Sequence, residues 1–311
     1  MADQMTATTL QLRNSEGMDI FVRRWAPADA RPRAVVLIAH GAAEHSARYA
    51  RLAVALTDDG YAVYAPDHRG HGETAGTLDS AGWAGADGWN GMLRDLKMVA
   101  DHARSENEGL PLFLFGHSMG SFLAQRCIQL WGDELKGCIL SGSSGAMAGL
   151  NDMVPMLEMA AQGDAARQPS QAWVMMFGGF NAPFAPQKTG FEWLSRDEAE
   201  VQKYVDDPWC GFVFSNRLVA DMMAGMAETW QPENEAQIPK TLPLLILSGE
   251  QDPVGGNTET VKELVRRYGE LGIQDMEVIF YPAGRHEMLN ELNREDVQQD
   301  ILNWLDAHVS A

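Results

Sequence analysis

The residues best suited to chemistry in this 311-residue chain are a serine, an aspartate and a histidine that each follow a strongly apolar run. Ser118 is the middle residue of the stretch GHSMG at 116–120, and the apolar run 112–115 comes directly before that stretch. Asp252 and His286 follow two later apolar runs. A serine hydroxyl becomes a nucleophile when a histidine takes its proton, and a carboxylate must orient that histidine. The three residues therefore suit nucleophilic attack on a carbonyl carbon.

The sequence around Ser118 predicts a buried strand, a very tight turn and a helix. Gly116 and Gly120 stand two residues either side of the serine, where a sharp turn brings backbone too close to backbone for a Cβ. Such a turn exposes the Ser118 hydroxyl at the positive end of a helix dipole. It also directs the Met119 N–H towards the place where an oxyanion would form. The pattern is the G-x-S-x-G nucleophile elbow.

Position along the chain favours Asp252 as the acid and His286 as the base. Active-site groups of an open α/β sheet gather at the carboxyl ends of its strands, and both residues come just after a predicted strand. The order serine, aspartate, histidine is the one expected of the α/β-hydrolase sheet. Glu250 and Asp275 stay open as alternative acids. Of the eight histidines, only His286 follows the acid on the last predicted strand.

Two further loops also follow predicted strands. In the first, residues 40–43, the flexible Gly41 lets the Ala42 N–H approach a substrate carbonyl, so Ala42 and Met119 together would form an oxyanion hole. In the second, residues 67–72, Asp67 and Arg69 could contact substrate, but the more frequent role of such charges is to brace loops beside a site.

Strand and helix patterns alternate through the first half of the chain and again near its end. An opening hairpin is predicted at 8–25, and buried strands are predicted at 33–39, 61–65, 112–115, 135–140, 242–247 and 276–281. Amphipathic helices are predicted at 48–59, 92–104, 258–271 and 294–308. The alternation predicts an α/β protein with a mostly parallel central sheet and helices on both faces.

The segment between the predicted strands at 135–140 and 242–247 has a different composition. It contains nine of the 17 methionines and many aromatic residues, which suit a helical lid over an apolar pocket. We therefore expect an α/β-hydrolase core at 1–142 and 231–311 and a helical cap insertion at 143–230. The candidate substrate contacts are Phe177 and Phe180 in this segment together with Gly41, Glu44, His117 and Val254. A tight elbow is expected to point His117 away from Ser118.

Composition narrows the possible partners and location. The chain has 43 acidic and 24 basic residues, a net charge of −19, which disfavours nucleic acid and anionic membranes as main partners. No apolar run approaches the roughly 20 residues of a membrane-spanning helix. The polar N-terminus shows no secretory signal, and three widely spaced cysteines do not require an oxidising compartment. We expect a cytoplasmic protein without metal or cofactor; a homodimer stays open.

With these motifs together, the chain resembles the monoacylglycerol lipase and lysophospholipase branch of the α/β-hydrolase superfamily, also called the serine aminopeptidase S33 or Hydrolase_4 family. The resemblance covers about residues 18–308 and is carried by HGAAEHSARY (40–49), PDHRGHG (66–72), GHSMG (116–120), SGEQDPV (248–254) and YPAGRHEMLNE (281–291). It implies Ser118, Asp252 and His286 as a catalytic triad. It also implies the Ala42 and Met119 amides as the oxyanion hole. Three positions depart from the family pattern, because Ala43, Ala47 and Ser121 stand where glycine is common.

The resemblance implies a serine carboxylester hydrolase that cleaves esters such as monoacylglycerols or lysophospholipids through an acyl-enzyme on Ser118. The partner is then a small ester with an apolar acyl chain. An N-terminal-residue peptidase, a thioesterase or an acyltransferase on the same triad is the alternative. A non-catalytic binding protein of this fold is a remote alternative, because it predicts a missing triad residue and none is missing.

Overall fold

Eight strands form one sheet in the computed structural model, which describes residues 7–28 and 30–309. The strands are β1 (Thr8–Arg13), β2 (Asp19–Trp25), β3 (Ala34–Ala39), β4 (Tyr61–Pro66), β5 (Leu112–His117), β6 (Gly137–Ser141), β7 (Leu244–Gly249) and β8 (Met276–Tyr281). Their order in the sheet is β1-β2-β4-β3-β5-β6-β7-β8. The pairs β1–β2 and β2–β4 are antiparallel, and the other five neighbouring pairs are parallel.

Eleven α-helices accompany the sheet in the described part of the chain. They are α1 (Ala50–Asp58), α2 (Gly72–Ala75), α3 (Gly88–Glu106), α4 (Met119–Trp131), α5 (Leu150–Ala160), α6 (Gln171–Asn181), α7 (Glu198–Asp206), α8 (Asn216–Thr229), α9 (Pro232–Glu235), α10 (Glu259–Glu270) and α11 (Arg294–Val309). Helices α5 to α8 all lie between β6 and β7 in the chain. None of the helices in the described ranges is both long and apolar enough to cross a bilayer.

Helices cover both faces of the sheet. Alternate residues of β3 belong to two separate apolar clusters: Val35 and Leu37 pack with α3, α4 and α10, whereas Val36 and Ile38 pack with α1 and α11. A strand covered on both faces has no solvent side, which explains why the apolar runs of the sequence are continuous. The prediction of a mostly parallel sheet between two helical layers is confirmed.

The predicted helix at 92–104 is longer in the structure, where α3 already begins at Gly88. The start was missed because Gly88 and Gly91 are poor helix formers. Packing explains at least the second glycine, because a Cβ on Gly91 would overlap the guanidinium group of Arg69. The stretch 74–90, for which the sequence predicted no helix or strand, therefore contains the beginning of this helix as well as the end of α2.

The segment expected to form a cap is helical, and it contains no strand of the sheet. Helix α8 packs against α5 within the segment and against α3 of the core. The boundaries proposed for the segment, 143 and 230, stay a prediction. Residues 1–6, 310 and 311 of the predicted core ranges lie outside the described residues, and so does the start of the polar N-terminus that was interpreted as lacking a signal.

Candidate active site

Ser118 occupies a strained turn between the end of β5 and the start of α4. Its φ of 52° and ψ of −122° lie in a region that residues with a Cβ rarely adopt. Hydrogen bonds hold the turn: Ser118 N donates to Ser141 O at 3.0 Å, and Ser121 N donates to Ser118 O at 2.8 Å. Strain of this kind persists only where the surroundings enforce it, which is typical of functional turns.

The two glycines of the motif are required by the close approach of backbone to backbone. A Cβ on Gly116 would lie 2.7 Å from the carbonyl carbon of Gly120. A Cβ on Gly120 would lie 2.6 Å from the His40 carbonyl oxygen and closer still to that of Ala39. The close backbone approach predicted at both glycines is therefore present in the structure.

Asp252 and His286 follow β7 and β8 and are joined by a direct hydrogen bond. The His286 Nδ1 atom lies 2.9 Å from Asp252 Oδ2 and 3.0 Å from Oδ1, and both side chains are buried. Burial lowers the pKa of His286, but the negative charge of Asp252 and its hydrogen bond raise that pKa further, so the net shift is upward. The carboxylate also accepts a bond from Val254 N at 2.9 Å, which fixes its orientation.

Neither alternative acid contacts this histidine. Asp275 Oδ2 is bonded to His308 Nε2 at 3.0 Å, and Glu250 is exposed to solvent. Among the described residues, Asp252 is the one carboxylate hydrogen-bonded to His286.

Ser118 and His286 line the same small space, which we call the polar chamber. Its other lining residues are Gly41, Ala42, Glu44, His117, Tyr204 and Glu287, together with the apolar Phe177, Trp193 and Leu194. In the described residues no hydrogen bond within 3.5 Å joins the Ser118 hydroxyl to the imidazole. Catalytic hydrogen bonds of this kind often tighten only when substrate binds. The fold thus brings the three predicted residues to one place, with the acid–base pair already formed.

His286 packs against two aromatic rings. The ring centroid of His117 is 4.7 Å from that of His286, and the ring centroid of Trp193 is 4.8 Å from it. The expectation that His117 points away from Ser118 is wrong: its ring lines the polar chamber. Gly41 and Gly142 leave room for this ring. A Cβ on Gly41 would lie 3.2 Å from a carbon of the His117 ring, and a Cβ on Gly142 would lie 2.9 Å from another.

His117 is uncharged near neutral pH. Burial, together with the positive charge that His286 can carry, lowers the pKa of His117 to about 4. The ring beside His286 is therefore a neutral neighbour that adds no repulsion when His286 takes a proton.

The two predicted oxyanion donors border Ser118. Met119 is the first residue of α4, so its N–H has no partner within the helix. Ala42 lines the polar chamber and the larger apolar cavity described below. The next residue, Ala43, has a φ of 53°, a value that glycine adopts without strain. This explains why glycine is common at that position in the related motif.

A buried network of charges closes one side of the polar chamber. Glu44 accepts hydrogen bonds from Gly41 N at 2.6 Å, from Tyr49 Oη at 2.7 Å and from Arg48. Arg48 also binds Glu287 through two parallel bonds of 2.6 and 2.7 Å. Burial raises the pKa of Glu287, but the charge of Arg48 outweighs burial and the pKa is lowered.

Glu44 was predicted from the sequence as a substrate contact, but its partners were not. The signal for two of them was present in the motif EHSARY at 44–49, where glutamate, arginine and tyrosine follow one another at helical spacing. Glu287 is distant in sequence and no local pattern indicated its role. A substrate contact by Glu44 stays a prediction.

An apolar cavity of about 180 Å³ lies on the other side of Ser118. It is lined by Ala42, Ser118, Met119, Phe122, Met147, Trp173, Met176, Phe177, Phe180, Trp193, Met222, Met223, Met226, Pro253, Val254, Gly256 and Thr260. Phe177, Phe180 and Val254, which were predicted to contact substrate, all line this cavity. The contact with substrate itself stays a prediction. The tryptophans and methionines in the lining were not singled out, because their spacing also fits an ordinary helical core.

Asp67 and Arg69 brace loops and do not line this cavity. Asp67 accepts hydrogen bonds from Ser46 N and Glu73 N, each at 2.8 Å. Arg69 is 2 % exposed and is paired with Asp95 at 2.8 Å. The interpretation of both charges as structural is confirmed.

In the described ranges, one set of donors lies close enough together to share a metal ion: His45, Asp207 and Cys210 have ligand atoms within 4.8 Å of one another. His45 Nε2 already makes a 2.9 Å hydrogen bond with Asp207 Oδ2. Burial raises the pKa of the Cys210 thiol, which disfavours the thiolate that a metal needs. We therefore interpret these side chains as a polar contact between core and insertion.

The sheet order, the strained serine turn and the adjoining aspartate–histidine pair define an α/β-hydrolase with a serine nucleophile motif. The chain belongs to the Hydrolase_4 family, described as serine aminopeptidase, S33, whose model matches residues 30–293.

Several of its relatives are named lipases or esterases. The chain is 27 % identical over 296 residues to a monoacylglycerol lipase of Mycolicibacterium smegmatis, covering 94 % of this chain and 95 % of the relative. It is 29 % identical over 243 residues to the human monoglyceride lipase, covering 77 % and 71 % of the two chains. A thermostable carboxyl esterase from Bacillus coagulans, solved in complex with glycerol, superimposes with a TM-score of 0.91 at 27 % identity, covering 98 % and 99 %.

Proposed function

We propose that the protein is a serine carboxylester hydrolase that cleaves monoacylglycerols and similar esters through an acyl-enzyme on Ser118. The observation that carries this proposal is the contrast between the two spaces that meet at Ser118. An apolar cavity lies on one side, and the polar chamber beside Glu44, Arg48 and Glu287 lies on the other. An ester with an apolar acyl chain and a small polar alcohol matches this division.

The triad performs the reaction in two steps. His286, held by Asp252, takes the proton of the Ser118 hydroxyl as its oxygen attacks the ester carbonyl carbon. The oxyanion that forms accepts hydrogen bonds from the Met119 and Ala42 amides, each worth about 3–4 kcal/mol. His286 then protonates the departing alcohol, which leaves an acyl-enzyme. Water gives a proton to the same histidine as it attacks the acyl carbon, and His286 passes that proton to the Ser118 oxygen as the acid is released.

The helical insertion serves as a cap that holds the acyl chain. Its aromatic and methionine side chains supply most of the wall of the apolar cavity, and flexible thioethers adapt to chains of different shape. The cavity of about 180 Å³ somewhat exceeds the engineered cavity of roughly 150 Å³ that encloses benzene. A long acyl chain therefore requires the cap to yield, whereas a short chain fits the cavity as it stands.

Removal of an N-terminal residue from a peptide is the second candidate, because the matching family is described as a serine aminopeptidase. That reaction needs a free carboxylate near Ser118 to bind the substrate ammonium. The buried carboxylates of the polar chamber, Glu44 and Glu287, are both paired with Arg48. The apolar cavity and the lipase and esterase relatives support the ester reaction.

We also propose a cytoplasmic location. Cys127, Cys138 and Cys210 are free thiols in the structure, which suits a reducing compartment. Homodimer formation stays a prediction from the sequence.

An acyl-chain profile tests the function. The substrates are 4-nitrophenyl esters from acetate to palmitate, a monoacylglycerol and an aminoacyl arylamide, with Ser118→Ala as the matched blank. We expect cleavage of the monoacylglycerol and of medium to long esters, little cleavage of the arylamide, and none by the variant. Retained activity in Ser118→Ala would overturn the nucleophile assignment. Efficient cleavage of the arylamide alone would favour the peptidase.

A further inference from the structure

Hydrogen bonds join the insertion directly to the loop that carries His286. His286 N donates to Trp193 O at 3.3 Å, and Glu287 N donates to Leu194 O at 2.8 Å. The two segments thus pair through consecutive backbone groups. The Trp193 side chain then turns back over the imidazole, at the 4.8 Å ring separation given above.

Side chains strengthen the same junction. Arg285 donates to the Glu192 carbonyl at 2.7 Å and to the Ser195 carbonyl at 3.0 Å. The carboxylate of Glu291, which is fully buried, accepts bonds from Arg285 N and Arg196 N, both at 3.0 Å. This part of the insertion is therefore fastened to the histidine loop at several points.

The insertion also holds the other catalytic loop. The Ala43 carbonyl accepts hydrogen bonds from Tyr204 Oη and from Gly211 N, both at 2.9 Å. Ala43 has the left-handed φ noted above, a conformation that costs about 1–2 kcal/mol in a residue with a Cβ. The residue before it is Ala42, the proposed oxyanion donor. Two bonds from the insertion thus stabilise a strained peptide next to the oxyanion hole.

We propose that residues 193–211 of the insertion position the catalytic groups in addition to covering the substrate. Trp193 sets the plane of the His286 ring, and Tyr204 sets the position of the Ala42 amide through the Ala43 carbonyl. Both are positioning residues, because they act through His286 and Ala42. This inference rests on the proposed function.

The geometry makes such a role effective. A displacement of about 1 Å in a reacting group can cost roughly a hundredfold in rate. The Asp252 bond fixes Nδ1 of His286 but leaves the ring free to tilt about that contact. The His117 and Trp193 rings both pack against the imidazole and restrict the tilt, and only Trp193 belongs to the insertion.

Two tryptophans of the cavity provide a matched test. Trp193 and Trp173 are both 3 % exposed and both line the apolar cavity, but Trp173 stacks on Phe214 and has no ring contact with His286. We expect Trp193→Leu to lower kcat at least about tenfold for acetate and for long-chain esters alike, and to shift the pH profile of kcat/KM. Trp173→Leu should lower long-chain turnover by a much larger factor than acetate turnover, because Trp173 lines the apolar cavity and not the polar chamber.

Two results would overturn the role of Trp193. One is a loss in Trp193→Leu that grows with acyl length in the way expected for Trp173→Leu. The other is an unchanged pH profile with wild-type acetate kcat. Trp193→Phe keeps an aromatic ring against His286 and should recover most of the acetate kcat. If Trp193→Leu does not fold, Trp193→Met takes its place with the same expected loss, and a wild-type acetate kcat and pH profile in Trp193→Met would contradict the role.

Tyr204→Phe tests the second contact, because it removes one hydroxyl and keeps the ring. We expect a several-fold loss of kcat with an unchanged KM, since an oxyanion donor acts mainly in the transition state. The matched control is Tyr268→Phe, which removes a buried hydroxyl bonded to Gln125 at 3.3 Å. Equal kcat in Tyr204→Phe and wild type would overturn this part of the proposal.

A failure of the positioning role can be distinguished from a failure of the proposed ester hydrolysis. The rate at which a fluorophosphonate labels Ser118 also depends on the base and on the oxyanion hole, but it requires no ester or peptide turnover. If the wild type cleaves no ester yet is labelled, slower labelling of Trp193→Leu and Tyr204→Phe still supports the positioning role. Labelling at the wild-type rate in both variants contradicts it.

Discussion

The backbone of Gly120 lies against the carbonyl group of Ala39, at the point where the serine turn crosses the end of β3. A Cβ at position 120 would overlap the Ala39 oxygen and lie 2.6 Å from the His40 oxygen, and both are backbone atoms that cannot move aside alone. We expect Gly120→Ala to lower the melting temperature strongly or to prevent folding, because overpacking of this kind typically costs 1–3 kcal/mol or more.

The control for that prediction is Gly178→Ala in α6, where no atom lies within 4 Å of the added Cβ. An alanine in a helix interior is favoured over glycine by about 0.5–1 kcal/mol, so Gly178→Ala should be neutral or slightly stabilising. Thermal unfolding of both variants and the wild type measures the difference. Equal melting temperatures would show that the serine turn has more room than the structure gives it.

Asp252→Asn should lower kcat by about 10⁴-fold while leaving the fold intact. Both carboxylate oxygens lie within 3.0 Å of His286 Nδ1, so an amide presents its N–H₂ group or a single oxygen to the ring and no longer enforces the required tautomer. The measurement is kcat with a medium-chain ester, alongside circular dichroism. Activity within tenfold of wild type would mean that another carboxylate orients the histidine.

The sequence alone predicted the framework of the site because short motifs encode it locally. The serine turn is specified by Gly116 and Gly120, and the acid and the base each follow a strand. The surroundings of His286 could not be predicted in the same way. Trp193 reaches the site only because the insertion folds over it. Glu287 follows His286 in the chain, but its pairing with Arg48 depends on packing between distant segments.

The position of His117 shows the same limit. The local turn suggested that its ring faces away from Ser118, but Gly41 and Gly142 leave space that the ring fills. Both glycines lie far from His117 in the chain. A local pattern thus defines which way the backbone turns, while the void left by distant glycines decides where the side chain rests.

The activity should decrease on the acid side with a pKa above the usual 6.5 of histidine. Burial lowers the pKa of His286 but Asp252 raises it by a larger amount, and the base must be neutral to accept the Ser118 proton. The value of kcat/KM therefore falls as pH decreases through this raised pKa. His117, with a pKa of about 4, contributes no transition near neutrality. A single transition below pH 6 would contradict the expected sign.

Acid should unfold the protein partly through its buried neutral histidines. Burial lowers the pKa of His68 to about 3 and that of His71 and His117 to about 4. Groups with a lowered folded-state pKa contribute stability above pH 6.5 that is lost as pH falls towards the folded value. For His117 the shift from 6.5 to about 4 corresponds to on the order of 3 kcal/mol.

The raised pKa of His286 acts in the opposite direction, because this histidine binds its proton more readily in the folded state. Burial also lowers the pKa of His40, so four histidines oppose this one and the sum still favours acid unfolding. Urea unfolding at pH 7.5, 6 and 5 should give a decreasing free energy of unfolding. A constant value over that range would show that these histidines are not buried as neutral groups.

Arg48→Met should destabilise the protein by about 3–5 kcal/mol, because it leaves two buried carboxylates without a cation. The side chains of Glu44 and Glu287 are 3 % and 6 % exposed, and Arg48 contacts both. The matched control is Arg13→Met, which removes an ion pair with Asp19 whose side chains are 67 % and 52 % exposed. That exposed pair should be worth less than about 1 kcal/mol.

Adding Glu287→Gln to Arg48→Met removes one of the unpaired charges and should recover part of the loss. Urea unfolding of the three variants checks this order, and equal losses for Arg48→Met and Arg13→Met would show that water reaches the Glu44–Arg48–Glu287 network.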